Sequence, residues 1–125
     1  MSVFTDSELA YLSDGPKLAR IATVGPDGMP HVVPSGWSYS RQDDVIVLRG
    51  HDLERTKKYR DVRATGRAAV VIDDVLPPWR PRGIEVRGRA DTTEPPDATI
   101  RIHPVRVVSW GLESDRIGER HGRTV

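Results

Sequence analysis

Apolar residues recur along this chain in short alternating or continuous runs, separated by turns rich in glycine and proline. Residues 18–24 (LARIATV) read as a strand, and the GPDG that follows them reads as a tight turn. Residues 30–39 return as a second strand, interrupted by Pro34 and Gly36. Proline removes a ladder donor, so this strand belongs at a sheet edge or is bulged where a ligand approaches its backbone. The continuous run Val45-Ile46-Val47-Leu48 predicts a strand buried on both faces. Residues 68–73 and 83–91 are further strands. In the second of these, Ile84, Val86 and Ala90 share one face, and Glu85, Arg87, Arg89 and Asp91 share the other. Residues 76–81 (LPPWRP) form a stiff connection and residues 92–99 an irregular one. Residues 100–103 make a short strand or a lead into Pro104, and residues 105–112 make a last strand carrying Trp110. The charged tail, 113–125, is expected to be loose.

Two segments carry helical spacing. Residues 7–13, capped by Thr5 or Asp6, place Leu9, Ala10 and Leu12 in one stripe before Gly15-Pro16 ends the helix. Residues 52–66 follow the buried strand, with Asp52 as the start, Gly66 as the stop, and Glu54–Lys58 and Lys57–Asp61 spaced to pair. Many short strands with a single long helical connection favour a mostly β chain with short helices. The predicted fold is one domain over residues 1–125, a small antiparallel barrel of about six strands. Closing the sheet also removes the open edges that so short a chain would otherwise expose.

Composition narrows the chemistry. Cysteine is absent, which removes disulfides, thiolate catalysis and cysteine-based metal sites. No apolar run reaches the roughly 20 residues of a membrane span, and the N-terminus lacks a secretion-signal pattern, so the expected setting is cytoplasmic. A net charge of +1 provides no overall basic field for nucleic acid or a membrane surface. Within that balance lysine is scarce: there are three lysines against sixteen arginines, and Lys57 and Lys58 stand side by side in the second helix. A strand running into a helix presents unpaired backbone N–H groups, and two ammonium groups one turn later suit a phosphate-bearing ligand. The plainer reading of the same residues is a solvated amphipathic helix. His31, His51, His103 and His121 are too scattered to suggest a metal site. Asp43-Asp44 and Asp73-Asp74 sit at strand ends and read as solvated acids rather than a catalytic pair. No phosphate-binding loop or dinucleotide glycine fingerprint appears, so any hard chemistry belongs to a cofactor.

The segments LARIATVGPDGMPHVVPSG, VIVLRGH, TKKYRDVR, WRPRGIEVRGRA and IRIHPVRVVSWG occur in that order between residues 18 and 111, within a likeness that runs from about Thr5 to Leu112. Together they resemble the flavin/deazaflavin oxidoreductases related to pyridoxamine 5′-phosphate oxidase, and most nearly their actinobacterial F420-dependent branch. The resemblance implies a split β-barrel that forms a homodimer, with cofactor held in grooves between the subunits. It implies that His51, Arg55, Thr56, Lys57 and Lys58 hold the cofactor phosphate. The ring would lie along His31, Val32, Val33, Pro34, Ser35 and Gly36, contacted largely through backbone. The other subunit would supply the stretch Trp79-Arg80-Pro81 and the strand end near Trp110. The implied activity is hydride transfer between reduced coenzyme F420 and an unsaturated small molecule, with no dedicated catalytic side chain. FMN is the alternative cofactor, and a non-catalytic cofactor carrier the alternative role. Trp37 and Trp110, read from the residues alone, are core tryptophans before they are ligand contacts. Arg87 and Arg89 are expected to pair with Glu85 and Asp91 across strands rather than reach a ligand.

Overall fold

The computed structural model describes residues 1–113 and 119–125. After α1 (Asp6–Leu12), the strands are β1 (Ala19–Val24), β2 (Pro30–Ser40), β3 (Val45–Arg49), β4 (Arg67–Leu76), β5 (Arg80–Thr93), β6 (Thr99–Trp110) and β7 (Arg120–Thr124). A short 3-10 turn (Leu53–Arg55) and α2 (Lys57–Thr65) connect β3 to β4. All pairings are antiparallel, in the order β3-β2-β1-β4-β5-β6-β7, and a further β3–β6 pairing closes the first six strands into a barrel. The predicted barrel of about six strands is therefore present, with β7 added outside it.

Alternation explains the closure. Ile21, Val70, Ile72, Ile84, Val86, Ile46, Leu48, Ile100 and Ile102 are all within 1% of full burial and fill the interior. Val45–Leu48 is buried along its whole length, as its unbroken apolar run requires. The helices seal the ends. Tyr11 and Leu12 of α1 join this core, as do Tyr59 and Val62 of α2. Ala10, expected on the apolar stripe of α1, is instead exposed, and Glu8 takes the buried position.

Four boundaries differ from the sequence reading, each for a physical reason. Asp52 does not cap the helix: it adopts a left-handed conformation (φ 50°), and the 3-10 turn follows so that Leu53 can enter the core. Thr56 is the cap, its hydroxyl accepting from the Tyr59 amide, while Gly66 (φ 72°) ends α2 as expected. The proline-rich connection is shorter than predicted, because β4 and β5 extend to pair Leu76 with Arg80. Residues 99–110 form one strand rather than two, since Pro104 stays in register opposite Gly88 and a bulge at Val105 takes up the shift between Arg87 and Gly88. Gly88 permits this close approach, because a Cβ there would overlap the His103 carbonyl oxygen. The expected loose tail is in part a strand: Arg120–Thr124 pairs with Trp110 through Arg106. Residues 114–118 of that tail lie outside the described residues.

One member of each acid pair is an anchor, while Asp43 and Asp73 stay solvated as half-exposed partners of Arg101 and Arg20. Asp44 accepts from the Ser2 hydroxyl, the Val3 amide and the Tyr39 hydroxyl. Asp74 accepts from the Arg82 guanidinium and the Tyr11 hydroxyl, and the Arg82 bonds hold its pKa below the usual carboxylate range. The third lysine, Lys17, is 96% buried by its 4% side-chain exposure, with its ammonium over the Tyr11 ring and on the Tyr11 and Asp14 carbonyls.

Candidate functional site

Strand β2 creates the opening. Residues 30–35 pair with β1, residues 36–40 pair with β3, and no second strand flanks residues 30–35 among the described residues. Their outer backbone edge is thus unpaired, as Pro34 foretold, and the strand is an edge over half its length without any bulge. Side chains alternate along it. Val32, Pro34 and Gly36 face outward and are exposed, Val33 packs against the core, and Ser35 is buried with its hydroxyl on the Gly36 carbonyl.

Residues 50–58 connect the two ends of that strand. Arg49 sits opposite Gly36 in the β2–β3 ladder. Seven or eight residues later Lys57 bonds Asp61, whose other donor, Thr23, lies opposite His31 in the β1–β2 ladder. The segment therefore spans β2 from its Gly36 end to its His31 end.

At the His31 end the charges are organised. The Lys57 ammonium lies 2.9 and 3.0 Å from the two Asp61 carboxylate oxygens, and Thr23 donates to Asp61 at 2.8 Å. Asp61 exposes only 5% of its side chain, whereas Lys57 exposes 44%. Burial of the Asp61 carboxylate works to raise its pKa, but bonds from Lys57 and Thr23 and the nearby charges of Lys57 and His31 prevail and lower it. Gly25 makes room: a Cβ there would lie 2.8 Å from Asp61 and 3.5 Å from the Lys57 nitrogen. Lys58 is half-buried and has no hydrogen-bond or ion partner among the described residues, and loss of solvent pulls its pKa down. In particular the expected Glu54–Lys58 pair does not form. The Nδ1 atom of His31 is buried without a partner. An amine and a ring nitrogen withdrawn from water and left unmatched are a donor set suited to an anion.

The remaining sequence candidates divide. Thr56 stands beside the lysines, but its hydroxyl is engaged with the Leu53 carbonyl and the Tyr59 amide. Arg55 is exposed, and His51 exposes 97% of its side chain beside Asp52. Trp79 and Arg80 lie at the tip of the β4–β5 hairpin, where Trp79 is 66% exposed. Trp110 is half-buried under the Arg120 guanidinium, 4.8 Å from its ring, and lies outside the main core. Trp37, the other tryptophan, packs against the core and donates to the Lys17 carbonyl. Ala68 pairs with Thr23, and Leu76 lies eight residues further along β4 toward Trp79. At roughly 3.3 Å per residue the hairpin tip is more than about 25 Å from the lysine cluster within one chain. Arg87 pairs with Glu85 of its own strand rather than across strands, and Asp91 pairs with His103, leaving Arg89 exposed. Sequence reading missed Asp61 and Thr23 as site members. The i,i+4 spacing announced Asp61 only as a surface pair, and the placement of Thr23 is set by the β1–α2 packing.

Comparisons with known proteins match this architecture. Residues 5–117 fit the family model described as pyridoxamine 5′-phosphate oxidase. A 5a,11a-dehydrotetracycline/5a,11a-dehydrooxytetracycline reductase of Streptomyces rimosus is 35% identical, covering 98% of this chain and 93% of that protein. A solved F420 reductase superposes with a TM-score of 0.60 at 25% identity, covering 78% of this chain and 94% of that one. An FAD-binding protein of Mycobacterium smegmatis shares the fold at 17% identity and a TM-score of 0.65, over 98% of this chain and all of that one (100%). Barrel, open strand edge and sequence likeness agree: this chain belongs to the pyridoxamine 5′-phosphate oxidase family.

Proposed function

We infer that this chain is a reductase dependent on the deazaflavin coenzyme F420, acting on an unsaturated small molecule of the enone kind. The likeness to the dehydrotetracycline reductase and to the F420 reductase supports an oxidoreductase with a flavin or deazaflavin cofactor. The observation that carries the reading furthest is Lys58, an unmatched and partly desolvated ammonium beside Lys57 at the first turn of α2. Such a group is poorly placed for stability and well placed for a bound anion.

Bound in this family's manner, a reduced deazaflavin supplies the hydride. The chain's own residues do the rest. The Lys57 and Lys58 side chains and their two backbone amides hold the phosphate. The outward-facing backbone groups of residues 31–35 offer donors and acceptors to the edge of a flat ring, Pro34 giving a carbonyl only, and Val32 and Pro34 offer apolar contact. No side chain in this corner is arranged as a general acid or base, so orientation and exclusion of water are the protein's contribution.

The functional unit is a homodimer. Trp79 and Arg80 are too distant to serve the lysine cluster of their own chain, yet a partner's hairpin can serve it, together with the strand end at Trp110. Exposed apolar residues on β2 and on that hairpin support the pairing: Met29 65%, Val32 66%, Val75 45%, Leu76 40% and Trp79 66% exposed. Titrating the purified protein with F420 and FMN side by side, followed by fluorescence, tests the cofactor. Reoxidation of reduced F420 on addition of enones then separates a reductase from a carrier. Binding with no acceleration across a broad panel would favour the carrier, and absence of F420 binding would reject both.

A further inference from the structure

The phosphate corner holds one carboxylate that a plain anion site does not need. Asp61 is buried, accepts from Lys57 at 2.9 and 3.0 Å and from Thr23 at 2.8 Å, and is approached by the loop at Gly25. Its partner Lys57 remains 44% exposed, so the ammonium is fixed on one side and open on the other. Lys58 adds a second ammonium with no counter-charge. Asp61 thus offsets one of the two ammonium charges at the start of α2, and the exposed Asp27 carboxylate approaches the same space beside Gly25.

We propose that Asp61 is a positioning and specificity residue that tunes this corner to a singly charged phosphodiester and against a doubly charged phosphate monoester. The proposal rests on the reading of Lys57 and Lys58 as phosphate ligands and adds the selection between cofactors. A terminal monoester, as in FMN, carries up to two charges at neutral pH, with its second proton leaving near pH 6. A phosphodiester, as in F420, carries one at the phosphate. Any phosphate on the open side of Lys57 shares that ammonium with Asp61, and a second phosphate charge meets the carboxylate in poorly screened surroundings. Asp61 also removes rotamer freedom from Lys57, so its orienting contribution applies to both ligands and its charge penalty to only one. The Thr23 hydroxyl and the Lys57 ammonium both stabilise the ionised form, which keeps the carboxylate charged at working pH.

The test is the ratio of FMN to F420 affinity in wild type and in Asp61→Asn. Asparagine keeps the shape and an acceptor for Lys57 while removing the charge. The ratio is expected to move toward FMN by about tenfold, the size of one charge–charge interaction across a partly screened site. A merely structural role would weaken both ligands together, and an unchanged ratio overturns the proposal. Should Asp61→Asn fail to fold, the wild type decides by pH. Between pH 8 and pH 5 FMN becomes a monoanion, so the FMN-to-F420 ratio is expected to rise; a flat or falling ratio overturns the proposal. The groups facing Asp61 are Lys57 from α2, Thr23 from β1, His31 from β2 and, across Gly25, Asp27 from the β1–β2 turn. Protonation of His31 affects both ligands, which is why the ratio is read. If wild type binds neither ligand, the phosphate-site reading itself fails, a result distinct from an unchanged ratio.

Discussion

Two buried carboxylates, Glu8 and Asp61, each face one cation, and the two pairs do different work. Glu8 is 1% exposed and takes both ends of the Arg123 guanidinium at 2.6 and 3.0 Å, with the Thr5 amide as a further donor. Arg123 spends its remaining reach on the Val3 carbonyl at 2.6 Å. That pair is closed: it ties β7 to α1 and engages both Glu8 carboxylate oxygens. Asp61 holds a cation that is half exposed, next to a second cation with no partner. This pair is open, and it stands near His31 at one end of the half-paired strand β2. A buried carboxylate with a cation thus gives a clasp at one place and a ligand corner at the other, and the difference is whether a second, unpartnered cation stands beside the pair.

The largest expected effect falls on the closed pair. Arg123→Ala leaves Glu8 buried without its counter-charge and should cost about 3 kcal/mol of stability in urea denaturation, while cofactor affinity of the folded protein is unchanged. A loss of cofactor binding in that variant would erase the contrast between the two pairs. Next comes the open corner. Lys58→Ala should weaken F420 binding by about 1.5–3 kcal/mol, the cost of a charge-assisted hydrogen bond, with the melting temperature unchanged or slightly raised because a desolvated ammonium is removed.

Acid sharpens the contrast further. Burial works to raise the Glu8 pKa, but bonds from Arg123, Thr5 and Ser109 outweigh it and lower it. A depressed folded-state pKa contributes stability above the unfolded value near 4.3 and loses it as pH falls through the folded value. The wild type should therefore weaken below about pH 4. Without Arg123, burial governs Glu8 and favours its protonated form, so the deficit of Arg123→Ala should shrink between pH 7 and pH 3.5. A deficit constant with pH would mean the pair acts by packing alone. The smallest stability effect is expected at Trp79→Ala, within about 0.5 kcal/mol for so exposed a side chain, yet sedimentation should show weaker dimerisation.

Much of this arrangement was legible in the sequence because local physics decided it. The unbroken run Val45–Leu48, the Gly66 stop and the alternation of residues 84–91 each correspond to a single structural outcome. Pro34 correctly marked an edge, since a missing donor is a property of the residue itself. What escaped depended on distant partners. β7 has little strand pattern and forms because β6 offers its edge and Glu8 receives Arg123. The cap moved from Asp52 to Thr56 because the core claimed Leu53. Lys57–Asp61 was visible as a spacing, but its burial against Thr23 was not, and that burial turns a surface pair into part of a site.

The central claim is that the first turn of α2 holds an anionic deazaflavin through two adjacent ammonium groups. The most direct measurement is a fluorescence titration of F420 into wild type and a Lys57→Gln/Lys58→Gln double variant, in which glutamine still donates to Asp61. Loss of about a hundredfold or more in affinity, with the melting temperature retained, is the expected result. Equal affinity in the two proteins would contradict it.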